Sequence, residues 1–236
     1  MDDARIAAGC MDQPGKLARF RSSLVYDAVM RLPLAIWFAI CASAVGQRLY
    51  ADVAAAPVVD AKLVLDVAAR VSGIAFILII ILALSVRLPA IARSAGVLPR
   101  VVAFGGTFSL TALALFDPVP HSLPVAIASL VFMCVGYAFA CYTLVHLGRS
   151  LSMMAEARKL VTSGPYAIVR HPLYAAEAIA SFGLLLQYLS IETVALWLFH
   201  LALQLWRITY EEKILCQTFP EYADYSLRVS RLLPST

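Results

Sequence analysis

Long apolar runs separated by short polar joints set the pattern of this chain. Runs long enough to cross a bilayer as helices fall at Leu32–Gln47, Val67–Val86, Val101–Phe116, Leu123–Val145, Tyr174–Leu189 and Ile191–Trp206, against the roughly 20 residues a spanning helix needs. The first is short unless Leu24–Met30 joins it, which brings in Asp27 and Arg31. The last two almost touch at Leu189-Ser190-Ile191-Glu192. They read as a tight helical hairpin, with one long helix broken near Ser190 as the alternative. Beyond them Phe219, Tyr222, Tyr225, Val229 and Leu232 recur at helical spacing, with Glu221, Asp224, Arg228 and Arg231 between. That pattern predicts an amphipathic helix suited to a membrane surface, with Asp224 and Arg228 placed to pair at i,i+4. Packing against the bundle and a lid over a ligand are equally open for it. The pattern therefore reads as all-α: a polytopic membrane helix bundle of about six transmembrane helices. It divides into an N-terminal segment (1–23), a four-helix scaffold (24–146), and a polar-rich region with the hairpin and the interfacial helix (147–236).

Composition narrows the class. The chain is 61% hydrophobic and 14% charged, with a mean hydropathy of +0.81. An ordinary soluble domain is about 45–50% apolar and about 25% charged. A soluble, disordered, collagenous or disulfide-scaffold protein is excluded. The net charge of +4 would fit a nucleic-acid partner only if its basic residues clustered on one surface. Instead they alternate with the spans. Sixteen of the 19 Lys and Arg lie before the first span, between two and three, between four and five, or after the sixth; the other connections hold only Arg48, Lys62 and Arg70. Basic residues near span ends mark the cytoplasmic side, so both termini are expected inside, in a bacterial inner membrane, with the lipid bilayer and not nucleic acid as partner. No stretch before Leu24 is apolar enough for a signal peptide. The five cysteines are odd in number and lack Cys-x-x-Cys spacing, so neither a disulfide framework nor a zinc site is indicated. His121 and His200 have no polar companions in sequence and read as loop and packing residues.

The informative polar residues lie on the expected cytoplasmic face. The run Leu160-Val161-Thr162-Ser163-Gly164-Pro165-Tyr166 contains a strong turn marker in Gly-Pro, and Arg170-His171-Pro172-Leu173-Tyr174 follows. Proline suits the first turn of a helix, and the residue before it is held extended. His171 should therefore stand just outside the fifth helix, with Tyr174 in its first turn and Glu177 one turn deeper. A helix from Pro172 to Ser190 covers about 27 Å, and one from Ile191 to Thr209 returns the same distance. Arg207, Glu211 and Glu212 thus come back to the face that Arg170, His171 and Tyr174 left. Arg207 and Glu211 share a helix face, whereas Glu212 points about 100° away. Carboxylates, an imidazole, an aromatic ring and a guanidinium suit a small, partly cationic polar ligand. Taken singly, each has a plainer reading: Arg170 as a positive-inside anchor, Tyr174 as a belt aromatic, and the two glutamates as a solvated helix end.

The run Leu160–Tyr166, then Arg170-His171-Pro172-x-Tyr174, Glu211-Glu212, and Phe219-x-x-Tyr222-x-x-Tyr225 ahead of Leu233-Pro234 together resemble the isoprenylcysteine carboxyl methyltransferase family. Its wider relatives are membrane phospholipid N-methyltransferases. The resemblance covers roughly Leu147 to Pro234. It implies methyl transfer from S-adenosylmethionine, bound at a cytoplasmic pocket, to a lipophilic acceptor reached from the bilayer, with no metal. Carried over residue by residue, it implies cofactor binding by Arg158, Lys159, Leu160 and Val161, by Tyr166, by His171, Pro172, Leu173 and Tyr174, and by Glu211 and Glu212. It also implies an acceptor-side role for Arg207, so that Arg207 and Glu211 carry the chemistry. Prenylcysteine members have histidine where this chain has Arg158.

In-line displacement on an activated methyl needs chiefly alignment of donor and acceptor. A carboxylate acceptor requires no base, whereas an amine must first lose a proton. Two rivals share parts of the pattern. Membrane sterol reductases carry a similar Arg-His-Pro-x-Tyr and would bind NADPH. A non-enzymatic transporter could keep such a fold, although spans one to four lack the paired intramembrane charges expected of coupled transport.

Overall fold

The computed structural model describes residues 24–110, 113 and 119–234, with side chains from Leu32 onward. It is a helical bundle. Helices α1 (Leu24–Ala55), α2 (Ala61–Ser85), α3 (Leu98–Phe108), α4 (Leu123–Leu147), α5 (Pro172–Leu185), α6 (Ile191–Thr218) and α7 (Tyr222–Arg228) are joined by short connections. One two-residue antiparallel pair, β1 (Ala92–Arg93) with β2 (Glu156–Ala157), ties the α2–α3 connection to the segment after α4.

Among the described residues three helices are long and apolar enough to cross a membrane: Leu32–Ala55, Ala61–Ser85, and Leu123–Ser150, which includes the turn after α4. Few of their residues are buried within the protein. The outward side chains are large and apolar, among them Leu32, Ile36 and Ile40 on α1, Leu78 and Leu82 on α2, and Ile127, Val131 and Val135 on α4. Apolar stripes of that kind face lipid in a membrane bundle. The chain is an integral membrane protein on these grounds, and of the six expected spans three are of this length and character among the described residues. The third expected span is α-helical only within Leu98–Phe108, and residues 111–112 and 114–116 of it fall outside the described set. The fifth is an apolar helix of just 14 residues. The sixth is 28 residues long, but its C-terminal half carries Arg207, Glu211, Glu212 and Lys213.

The expected hairpin is present, and its break is sharp. The α5 helix ends at Leu185, and Ser190 is extended, with its side chain accepting from the Thr193 backbone N–H while Thr193 accepts from the Ser190 N–H. This reciprocal cap satisfies two backbone donors that a helix start leaves open. The most extensive helix contact is between α4 and α5. Small residues line that contact: Gly136, Ala140, Ala176 and Ala180 are all buried. A side chain at Gly136 would collide with the backbone of Ala180. Close approach through small residues is the usual basis of helix association in membranes. The hydroxyl of Ser129 on α4 adds a 2.8 Å hydrogen bond to the Gly183 carbonyl.

The two isolated histidines have partners after all. His200 is buried and lies 2.9 Å from the Ser109 hydroxyl, and His121 lies 3.2 Å from Asp66. Of the expected amphipathic segment, only Tyr222–Arg228 is helical, and Arg228 bonds the Asp224 backbone carbonyl rather than its carboxylate.

Candidate active site

The site is built where the polar segment after α4 crosses the facing ends of α5 and α6. The α4 helix stops at Gly148, and the chain passes through a single turn into Leu151–Val161. Glu156 anchors this segment: it lies 3.0 Å from Arg93 Nε and 2.6 Å from Arg158 Nη2, and it accepts from the Ser152 hydroxyl at 3.1 Å. Gly164 then adopts φ +61°, with Pro165 opening a short turn that buries Tyr166. Any side chain at Gly164 would overlap the His146 ring, so glycine is required for both backbone conformation and space. His171 (φ −127°, ψ 58°) stands just ahead of α5, and Pro172 occupies its first turn.

Two carboxylates adjacent in sequence go separate ways. Glu211 faces a cavity. It accepts from the Tyr174 hydroxyl at 2.5 Å and from Arg207 Nε at 3.2 Å. Arg207 also donates to the Ser152 carbonyl at 3.0 Å, and its guanidinium carbon lies 5.3 Å from the Tyr174 ring centre, within range of a cation–π contact. Glu212 is wholly buried among cations instead. Its oxygens lie 3.3 Å from Arg170 Nε, 3.2 Å from His171 Nε2 and 2.7 Å from Arg231 Nη2. The bond to Glu212 places a proton on His171 Nε2. Burial opposes the Glu212 charge, yet the hydrogen bond from His171 and the charges of His171, Arg170 and Arg231 prevail and hold its carboxyl below the usual range.

The C-terminal tail closes this cluster. The Arg170 and His171 N–H groups donate to the carbonyls of Ser230 and Arg231 at 2.8 and 2.9 Å. Tyr225 donates to the Tyr166 carbonyl at 2.6 Å. Burial pushes the Tyr225 phenol up to about 12, with Arg170 pulling the other way, so it stays a donor at neutral pH. Tyr166 and Tyr222 are raised by burial as well, with Glu211 adding to the first and Glu212 to the second.

A polar cavity of about 110 Å³ results. Of the residues expected from the sequence, Arg158, Lys159, Leu160, Val161, Tyr166, His171, Leu173, Tyr174, Arg207 and Glu211 line it. Pro172 and Glu212 do not; they hold the wall from behind. The walls also include Ser150–Met153, Arg170, Glu177, Tyr222 and Tyr225, which had not been assigned to the site. The alternating tyrosines after α6 were the one signal in sequence for the last two. Glu177 was visible as a deep acid but had no stated partner. It accepts from Gln204 at 3.0 Å.

A second cavity of about 180 Å³ adjoins the first inside the bundle and is mostly apolar, with Phe38, Phe76, Ile80 and Leu184 in its walls. Leu151, Met153, Glu177 and Arg207 line both cavities. Among the described residues no group of three or more His, Cys, Asp or Glu is placed to hold a metal ion.

Residues 129–217 match the model of the isoprenylcysteine carboxyl methyltransferase (ICMT) family. The match begins further upstream than the motifs do, inside α4, and stops short of the Tyr222–Pro234 tail. Among curated relatives, the chain is 37% identical over 76 residues to the cobalt-zinc-cadmium resistance protein CzcN of Cupriavidus metallidurans, covering 32% of this chain and 35% of that protein. It is 35% identical over 80 residues to the nickel-cobalt-cadmium resistance protein NccN of Alcaligenes xylosoxydans xylosoxydans, covering 34% and 38%. The matched stretch thus spans little more than a third of either relative's length.

Proposed function

We propose that this chain, whose residues 129–217 carry the ICMT family match, is an integral membrane methyltransferase that moves a methyl group from S-adenosylmethionine to a lipophilic acceptor. The observation that carries the reading is the meeting of a polar, carboxylate-bearing cavity with an apolar one at Glu177 and Arg207. A water-soluble donor and a hydrocarbon-bearing acceptor need two such chambers with a common wall.

The donor set fits the cofactor. S-adenosylmethionine supplies a methyl group activated on a sulfonium, flanked by an amino-acid end and an adenosine. Glu211 offers a carboxylate to its cationic groups, and the rings of Tyr166, Tyr174, Tyr222 and Tyr225 offer flat apolar faces. The backbone from Arg158 to Val161 lies along the same wall. His171 is held in place by its contact with Glu212 and so presents a fixed ring edge. At about 110 Å³ the cavity takes the charged end of such a ligand, and the chain from Ser152 to Val161 must give way to admit the rest.

The residues then act by position. Tyr174 and Arg207 lock Glu211 from two sides, so its carboxylate does not reorient when the ligand arrives. Preorganised charge of this kind avoids reorganisation at the moment of reaction. The apolar walls of the inner cavity exclude water from the transfer. Arg207 spans the two chambers and fixes the acceptor's polar end. With the basic residues placed inside, the polar cavity opens to the cytoplasm and the protein resides in a bacterial inner membrane.

The test is transfer of a radiolabelled methyl group from S-adenosylmethionine into a native lipid extract by the purified protein. Label in the organic phase, dependent on the protein, supports the reading. No protein-dependent labelling, or protein-dependent reduction of a lipid by NADPH in its place, would count against it.

A further inference from the structure

We propose that the acceptor's hydrocarbon tail runs out of the inner chamber into a third, larger cavity, and that Gly73 sets the length of tail the protein accepts. This rests on the methyltransferase reading and goes further, naming the part of the acceptor that is selected and the residue that selects it.

The inner chamber is small. At about 180 Å³ it falls below the roughly 300–1,000 Å³ usual for a small-molecule site. A lipophilic acceptor whose polar end sits at Arg207 fills it and needs further room. A third cavity of about 460 Å³ lies directly beyond, sharing Ile77 of α2, Tyr137 of α4 and Leu184 of α5 with the inner chamber. Gly73, Ile74 and Met133 carry its apolar wall onward. Arg70, ion-paired with Asp52, stands at its far end together with Arg48. Hydrocarbon passing these groups would strip them of water, so they form a floor.

The passage between the chambers has a rigid side and an open one. Tyr137 stacks on Phe76, with ring centres 4.6 Å apart and planes 21° from parallel, so its ring is a fixed wall. Gln187 reaches the same cavity, but its amide N–H is taken by the Ser129 hydroxyl at 3.1 Å and the Met133 sulfur at 3.4 Å. Opposite Tyr137, Gly73 leaves space. A Cβ there would lie 3.5 Å from the Tyr137 hydroxyl oxygen and 3.8 Å from Met133 Cε, which is ordinary contact. Further carbons would take up volume that the cavity now holds open. Gly136 and Gly183 differ: a Cβ at either would strike the backbone of the facing helix. Those two glycines serve helix packing, whereas Gly73 keeps a cavity.

Helix rise gives the lengths. Glu177 to Leu184 on α5 covers about 10.5 Å, and Ile77 back to Arg70 on α2 covers about the same. An extended peptide chain advances about 3.3–3.6 Å per residue, or per three bonds, so the inner chamber takes about nine carbon–carbon bonds and both chambers about eighteen. Bilayer tails are as apolar as the cavity wall, so each added carbon gains little on transfer from lipid. Discrimination by length is therefore steric, and a side chain at Gly73 shortens the tail that fits.

The experiment titrates hexanoate and hexadecanoate into protein in lipid nanodiscs with S-adenosylhomocysteine bound. The ratio of variant to wild-type affinity at each length cancels partitioning into the bilayer. Gly73→Leu is expected to weaken hexadecanoate about tenfold or more by filling the passage, and to leave hexanoate within about twofold. Gly73→Ala should show a smaller loss with the same dependence on length. Gly46→Leu, at an open position, should change neither probe. Among methyl-labelled products from a native lipid extract, Gly73→Leu should lower longer-tailed products relative to shorter ones. Equal effects on both probes, no effect on either, or no binding of hexadecanoate by the wild type would overturn the proposal. Hexadecanoate binding lost in Arg70→Gln but kept in Arg207→Gln would also overturn it, because the polar end would then lie at the floor. Adenosylhomocysteine affinity within about twofold of wild type shows that each Gly73 variant is folded. Loss of adenosylhomocysteine binding by the wild type would instead overturn the methyltransferase reading beneath it.

Discussion

Glu211 and Glu212 show how far one step along a helix changes a side chain's task. Glu211 is held on one side by Tyr174 and Arg207 and faces the cavity on the other. Replacing it with glutamine removes a charge-assisted partner for the cofactor, an interaction of about 1.5–3 kcal/mol. Glu211→Gln is therefore expected to weaken adenosylhomocysteine binding by about 10- to 100-fold in calorimetry, with little change in melting temperature. Glu212 should behave in the opposite way. It neutralises a buried group of Arg170, His171 and Arg231, and removing one partner of a buried ion pair costs about 3–5 kcal/mol. Glu212→Gln should thus lower thermal stability in detergent markedly. Its pH dependence has a definite sign. A carboxyl held lower in the folded state contributes stability that is complete above the ordinary glutamate pKa of about 4.3. That contribution is lost as pH falls through the lower folded value. Melting temperature measured from pH 6 down to pH 3 should drop in the wild type and be flatter over the same range in Glu212→Gln.

At the scale of elements, what was legible in sequence is what depends on neighbours along the chain. The break near Ser190 could be read because two apolar runs meet at Leu189-Ser190-Ile191-Glu192. The start of α5 could be read from His171-Pro172, and the Arg207–Glu211 pair from a spacing of four. The rest depends on contacts across the fold. Nothing local announces that Ser230 and Arg231 will pair with Arg170 and His171, or that Ser152 will bond Arg207 across 55 positions. Glu212 looked like part of a solvated helix end because its three cationic partners come from two other segments. The helix contact that positions the whole site was hidden for the same reason: Gly136 gives no sign in sequence that Ala180 sits against it. Gly136→Leu should separate α4 from α5. Overpacking of this kind costs about 1–3 kcal/mol or more. Reduced expression and a lower melting temperature are the expected outcome, whereas Gly46→Leu, at a position with open space, should be tolerated.

Over the whole molecule, apolar composition supplies a lipid-facing scaffold, and Arg158, Arg170, Arg207, Glu211 and Glu212 converge at one end of it. Three cavities lie in series from the polar site inward, each sharing wall residues with the next. That order matches a donor entering from water and an acceptor entering from the hydrocarbon. The distribution of basic residues predicts a cytoplasmic C-terminus: a reporter fused after Thr236 should be active only if it is of a kind that works in the cytoplasm. The most direct measurement is calorimetric titration of the purified protein with S-adenosylhomocysteine and, separately, with NADPH. One-to-one binding of S-adenosylhomocysteine, weakened in Glu211→Gln and absent for NADPH, is the expected result. Binding of NADPH in its place, or of neither ligand by a protein that melts cooperatively, would contradict the assignment of this site to methyl transfer.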